Sequence, residues 1–106
     1  MDVHYEDLVR KVTGGKSIEV EINGVIREID CVTDDLVIQV KRSLSAIDNP
    51  KGFLGKSTRN QIKATVEYAK QVGKTAEYWF KYGVSKEVKE YLEKKGIKVV
   101  IGLGGI

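Results

Sequence analysis

The chain has 106 residues, 42% of them hydrophobic, which is enough for one core and too apolar for a disordered tail. One cysteine, Cys31, and one histidine, His4, exclude both a disulfide framework and a structural zinc site of the Cys/His type. The net charge is only +3, but the stretch from Lys41 to Lys63 holds six basic residues against one acid, so it is +5 and the remainder −2. A basic segment in a near-neutral chain implies an anionic partner on one side, and charge alone allows a merely solvated face equally well.

In chain order, residues 3–13 read as a helix, with Tyr5, Leu8, Val9 and Val12 as its apolar stripe. Asp2 is its expected cap and Gly14-Gly15 its stop. Residues 17–22 alternate, with Ile18, Val20 and Ile22 against Ser17, Glu19 and Glu21, which is a half-buried strand. Asn23-Gly24 is a hairpin turn, and a second strand runs from Val25 to about Val32. After Thr33-Asp34-Asp35, Leu36 to Lys41 forms a nearly all-apolar strand, as expected for a central position.

Residues 43–56 read as a loop broken by Asn49-Pro50, Gly52 and Gly55. A helix from about Thr58 to Val72 buries Ile62, Val66 and Ala69 and stops at Gly73. Thr75 to Tyr82 is an aromatic-rich strand, in which Tyr78, Trp79, Phe80 and Tyr82 read as packing residues rather than a base-stacking platform. Ser85 caps a helix carrying Val88, Tyr91 and Leu92, and Gly96 stops it. Ile97 to Ile101 is a last strand, and 102–106 is expected to fray. The order α-β-β-β-α-β-α-β predicts an α/β fold with a mixed sheet, in which the strand at 75–82 lies parallel to that at 36–41. No apolar run approaches the roughly 18 residues of a membrane span, and no signal-peptide pattern follows Met1, so a soluble domain without stable membrane association is expected.

The residues able to do chemistry lie on the second and third strands. Side chains two apart on a strand share a face, so Gln39 and Lys41 face one way and Leu36, Ile38 and Val40 the other. A glutamine and a lysine on a buried strand need a partner, and Asp30 on the antiparallel neighbour can provide it. A carboxylate, an amide oxygen and a lysine at a strand end can hold a divalent metal and activate water, or form a structural polar cluster. Oxygen donors suit Mg2+ best, with Mn2+ or Zn2+ as alternatives. A Cys31–His4 nucleophilic dyad lacks a third orienting group, and Cys31 reads as core. Gly15-Lys16-Ser17 and Gly55-Lys56-Ser57 echo a P-loop but have Arg10 and Pro50 where its first glycine belongs. Lys56-Ser57 at a helix start still suits a phosphate.

Asp30, the turn after it and Gln39-Val40-Lys41 resemble the PD-(D/E)xK signature, and the element order resembles the αβββαβ core of restriction-endonuclease-like nucleases with an extra helix and strand. More narrowly, the chain is similar to restriction-endonuclease-fold toxin domains at the C-termini of polymorphic bacterial toxins, including contact-dependent growth-inhibition effectors. The resemblance covers nearly the whole chain, as one nuclease (toxin) domain over 1–106. It implies that Asp30, Gln39 and Glu6 bind metal, Gln39 through its amide oxygen, and that Lys41 orients the attacking water or stabilises charge on the phosphate. Glu19 and Glu21 compete with Glu6, although a solvated edge-strand face describes them better. The family usually has Asp or Glu at the position of Gln39, so Gln39→Glu is expected to preserve or raise activity.

Arg42, Lys56, Arg59, Gln61 and Lys63 are the expected nucleic-acid contacts. The implied function is a metal-dependent endonuclease toxin that cleaves tRNA or DNA, tRNA being slightly favoured. It would be delivered from the cell surface or by secretion within a larger effector, act in the target cytoplasm, and be neutralised by a cognate immunity protein. The alternatives are a non-catalytic nucleic-acid-binding module on the same fold, separable by metal-dependent cleavage, and a DNA-repair or junction-resolving nuclease, separable by oligomeric state.

Overall fold

A computed structural model describes residues 4–104. Its elements are α1 (Tyr5–Thr13), β1 (Lys16–Ile22), β2 (Val25–Val32), β3 (Leu36–Lys41), α2 (Ser45–Asp48), α3 (Pro50–Phe53), α4 (Lys56–Val72), β4 (Thr75–Phe80), α5 (Lys86–Lys94) and β5 (Lys98–Ile101). The strands form one sheet in the order β1-β2-β3-β4-β5. The first three run antiparallel, β4 runs parallel to β3 as the element order predicts, and β5 runs parallel to β4.

Alternation along β3 gives the sheet two covered faces. Val37 joins a core with Ile62 and Ala69 of α4 and Val88 and Leu92 of α5. Ile38 and Val40 join a second, smaller core with Tyr5 and Val9 of α1, Cys31 and Trp79. Both helical crossovers therefore cover one face and α1 the other. A strand covered on both sides must be apolar throughout, which is why Leu36 to Val40 reads that way apart from Gln39.

The hairpin between β1 and β2 turns on Asn23 (φ 52°) and Gly24 (φ 80°), the paired positive φ values of a type I′ turn. Nearer the other end of β2 the register breaks. Lys16 pairs with Val32 and Ile18 with Ile29, so β1 advances two residues while β2 advances three. Asp30 and Cys31 form the resulting bulge. It breaks the alternation of β2, sending Ile29 into the α4-side core and Cys31 into the α1-side core.

Several elements differ from expectation. The 43–56 stretch contains two short helices, α2 and α3, because Ala46 and Phe53 are buried and Asn49 caps α3 by accepting the Gly52 N–H. α4 begins at Lys56 rather than Thr58, and β4 ends at Phe80. Tyr82 lies beyond β4 and is 54% exposed, so it is not a packing residue. The segment 102–104 does not fray: Gly102 N–H donates to Phe80 C=O (2.9 Å), Tyr5 Oη–H donates to Gly102 C=O, and Leu103 packs on the α1-side core. Asp2 and the first residue of the expected helix lie outside the described residues, as do Gly105 and Ile106; the N-cap position of α1 is His4.

Gly15 shows how tightly α1 closes onto the bulge. A Cβ there would meet Cys31 Sγ at 2.3 Å, Val32 O at 2.9 Å and Thr33 Cγ2 at 3.0 Å. Since backbone cannot yield as a side-chain end can, Gly15→Ala is expected to destabilise the fold by about 1–3 kcal/mol. Urea unfolding measures this, and an unchanged midpoint would show that the α1–β1 corner is looser than described.

Candidate active site

The β2–β3 ladder is short. Cys31 pairs with Ile38 and Val32 with Val37 next to the connecting turn, and no further pair follows. Beyond that point two side chains replace backbone partners. Asp30 Oδ2 accepts the Val40 N–H at 2.8 Å. Gln39 Oε1 accepts the Asp30 N–H over a longer 3.4 Å, and Gln39 Nε2 donates to Glu28 C=O (3.3 Å) and to Thr65 Oγ1 (3.2 Å).

This fork opens into a cleft of about 440 Å3 lined by Ile26, Arg27, Glu28, Asp30, Lys41, Ser57, Thr58 and Gln61. Asp30 and Lys41, which the sequence places on neighbouring strands, thus meet in one cavity. Gln39, between them in sequence, is 1% exposed and lies beneath the cleft with its amide bonded as described. A second groove of about 550 Å3 lies at the opposite end of β3, lined by Thr13, Lys16, Asp34, Asp35 and Lys74. Its charges are mixed, and Lys74 Nζ already donates to Thr33 C=O at 2.7 Å.

Asp30 and Lys41 are half-buried in the cleft. Burial pushes the Asp30 carboxyl above its ordinary 3.8, with Glu28 and Glu6 adding to the rise and the Val40 N–H and Lys41 opposing it. Burial likewise pulls Lys41 below its ordinary 10.5, while Asp30 partly restores it. A desolvated carboxylate beside a desolvated amine is the usual state of acid–base groups in a reaction site. α4 enters the cleft by its N-terminus: Gly55 is the N-cap and brings no side chain to the first amides, and Ser57 and Thr58 follow at once. Unsatisfied helix N–H groups and the positive end of the helix dipole favour a phosphate there.

The other expected site residues are more scattered. Glu6 on α1 does not line the cleft; it acts on Asp30 through charge and pairs with Arg42, Nε to Oε1 at 3.2 Å. Arg42 Nη1 also lies 2.8 Å from His4 Nδ1. Gln61 lines the cleft and accepts Tyr78 Oη–H at 3.0 Å through Oε1. Arg59 and Lys63 lie on the flank between α4 and α5, and Lys63 also borders the groove under the β1–β2 hairpin with Arg27. Lys56 is exposed at the start of α4. His4 is exposed and Cys31 fully buried against Thr13, so the two form no dyad. Ser57, expected with Lys56 to suit a phosphate at a helix start, lines the cleft, whereas Arg27, Glu28, Thr58 and Thr65 complete the surroundings without having been expected there.

A family model described as restriction endonuclease fold toxin 3 matches residues 1–102. The chain belongs to that family. No curated protein and no solved structure matches it. As a restriction endonuclease fold toxin it has a nuclease fold, consistent with the five-stranded mixed sheet, and membership supports nuclease activity in general, with nucleic acid as the substrate.

Nucleases of this fold generally use divalent metals. Among the described residues no three His, Cys, Asp or Glu side chains come together as a metal cage. The toxin's cleft instead presents Asp30, with Glu28 in its lining and in Coulombic reach. Such a set fits a hard cation of the Mg2+ type, which takes one or two carboxylates and completes its shell with water and substrate phosphate.

The raised Asp30 carboxyl has a consequence for stability. Its folded pKa lies above its unfolded value, so it costs nothing below the ordinary 3.8 and destabilises increasingly as pH rises toward the folded value. Asn at this position keeps an oxygen for the Val40 N–H. The stability advantage of Asp30→Asn over the wild type should therefore grow from acid toward neutral pH. Paired denaturation curves at the two pH values test this, and an advantage that shrinks with rising pH would contradict the assigned environment.

Proposed function

We propose that this domain is a metal-dependent endonuclease toxin that hydrolyses phosphodiester bonds in a target bacterium. One observation carries the reading: Asp30 and Lys41 enter the same cleft beside the N-terminus of α4. In the proposed arrangement the phosphate sits against the α4 amides and the Ser57 and Thr58 hydroxyls. Asp30 is the anchoring carboxylate for Mg2+, with Mn2+ or Zn2+ as substitutes. A divalent cation bound there supplies Lewis-acid polarisation of the phosphate and a more acidic water. Lys41, its ammonium form disfavoured by burial, would orient an attacking water and move a proton or offset charge on the phosphate. Asp30→Ala and Lys41→Ala should each abolish cleavage without unfolding the chain, and excess chelator should stop the wild type. Undiminished cutting in chelator would overturn the metal-dependent reading.

RNA suits the cleft better than duplex DNA. The cleft is small, the basic side chains form a flank rather than a channel, and a looped single strand can be threaded into it where a duplex would need encircling. A tRNA loop is the substrate this reading favours.

The inhibitor in this reading is an acidic immunity protein seated on the flank formed by Lys56, Arg59 and Lys63. All three are exposed along α4 beside the cleft rather than in it, so a protein covering them blocks phosphate approach without copying the substrate. Complementary charge speeds capture and makes it salt-sensitive, because screening is strong beyond about 10 Å at 0.1 M salt. Exchanging all three for glutamine should weaken nucleic-acid and inhibitor binding together and flatten the salt dependence of both. Full inhibitor affinity in that variant would place the inhibitor elsewhere.

A further inference from the structure

Gln39 occupies the place that the sequence signature gives to a metal ligand, yet its surroundings are those of a strut. It is 1% exposed, and among the described residues no buried side-chain polar atom lacks a hydrogen-bond partner. Its oxygen, the one amide atom able to ligate a cation, faces the Asp30 N–H, and its nitrogen faces Glu28 C=O and Thr65 Oγ1. The opposite amide orientation would set nitrogen against an N–H and oxygen against a carbonyl, so the neighbours fix which way it points. A side chain that bonds one N–H and one C=O of the adjacent strand does the work of a backbone peptide in a ladder. It does so where the β2–β3 ladder has ended.

The strut is itself braced. Thr65 Oγ1 donates to Gln61 C=O at 2.7 Å, which leaves the hydroxyl's lone pairs for Gln39. Thr65 is 1% exposed, so no water competes for it. The Gln61 side chain, one turn earlier, is held by Tyr78 Oη. α4 is thereby tied to β2 through Gln39, on the side of the fork that faces the cleft.

We infer that Gln39 is a positioning residue and not a metal ligand: backed by Thr65, its amide sets the spacing of β2 and β3 at which the Asp30 carboxylate and Lys41 face one substrate. This rests on the nuclease reading for its effect on turnover, but the spacing itself is measurable without it. Glutamate does not replace the amide here, contrary to the expectation that the family signature gave for Gln39→Glu. It has no N–H for Glu28 C=O or Thr65, and it would set a carboxylate against a carbonyl.

The test compares Gln39→Glu, Gln39→Met, Thr65→Val and Thr65→Ser in the full chain. Three quantities are read: Mn2+ affinity by direct titration without nucleic acid, kcat and KM for cleavage of an RNA substrate, and amide hydrogen exchange at Asp30 and Val40. Gln39→Glu should bind Mn2+ no more tightly than the wild type, and Gln39→Met should still bind it. Both, with Thr65→Val, should lower kcat by about 10- to 100-fold through misplacement, with KM changed far less. Thr65→Ser, which keeps the hydroxyl, should retain turnover. Exchange at Asp30 and Val40 should quicken in Gln39→Met and Thr65→Val.

A ligand role predicts the reverse for the metal: tighter Mn2+ binding in Gln39→Glu and loss of it in Gln39→Met. That result overturns the inference, as does wild-type turnover in Thr65→Val. If the position-39 variants fail to fold, the Thr65 pair decides alone, since neither alters a candidate ligand. A wild type that cleaves nothing with any divalent metal would sink the nuclease reading. The exchange rates would still report whether Gln39 holds the fork, and unchanged rates would overturn the inference by themselves.

Discussion

Antiparallel neighbours normally satisfy each other's backbone along their whole length, and a buried N–H or C=O left unpaired costs more than a hydrogen bond returns. β2 and β3 part after two pairs, yet they part in the interior of the sheet. The backbone groups exposed by that separation must be bonded by something, and Asp30 and Gln39 bond them. The candidate site follows from this. The fork makes room for a cleft, the cleft admits Lys41 from one side, and α4 points its N-terminus in from the other. The bulge on β2 falls at Asp30-Cys31, so the strand bends away where the ladder ends and Cys31 can fill the α1-side core while the cleft forms.

The electrostatics of the cleft run against folding. Burial raises the Asp30 carboxyl and lowers Lys41 from their ordinary values, so each charge is more costly to hold in the folded chain than in the unfolded one. Their mutual attraction offsets only part of that cost. Such groups are retained where chemistry needs them, because a desolvated charge interacts more strongly with substrate than a hydrated one. The basic flank has no such cost. Lys56, Arg59 and Lys63 are exposed and act at range, which suits gathering a polyanion rather than transforming it.

The fold was legible because each strand of the meander carries its own punctuation, from Asn23-Gly24 to Thr33-Asp34-Asp35, and because the β4 and α5 patterns are long enough to be unambiguous. The convergence of Asp30 and Lys41 on one cleft was legible for a different reason: a lysine on a doubly covered strand calls for a nearby carboxylate, and few residues can supply one. The bulge was not legible. Asp30-Cys31 looks like ordinary alternation, and only the opposing register of β1 shows the extra residue. The short helices of 45–53 were hidden by Pro50 and Gly52, which break long helices but sit comfortably in single turns. The fixed end at Gly102 depends on Tyr5 and Phe80, nearly a full chain length and a strand away, and no local pattern announces such contacts.

Gln39 combines both situations. Sequence reasoning identified it as a buried polar group in need of a partner and named Asp30. The partner it found was the Asp30 main chain rather than the carboxylate, together with Thr65 from a helix more than twenty residues on. Thr65 itself was a readable signal, a hydroxyl among Ile62, Val66 and Ala69 on an otherwise apolar helix face. A buried polar residue on a strand and another on the helix that crosses it are each costly alone and cheap together. Seen this way, the variable position of the signature is governed by its neighbours. Where the residue at 39 meets the main chain of β2 and a helix hydroxyl, an amide satisfies all three groups and a carboxylate does not. The demands of the proposed chemistry then fall on Asp30 and Lys41, whose charges no backbone group can replace.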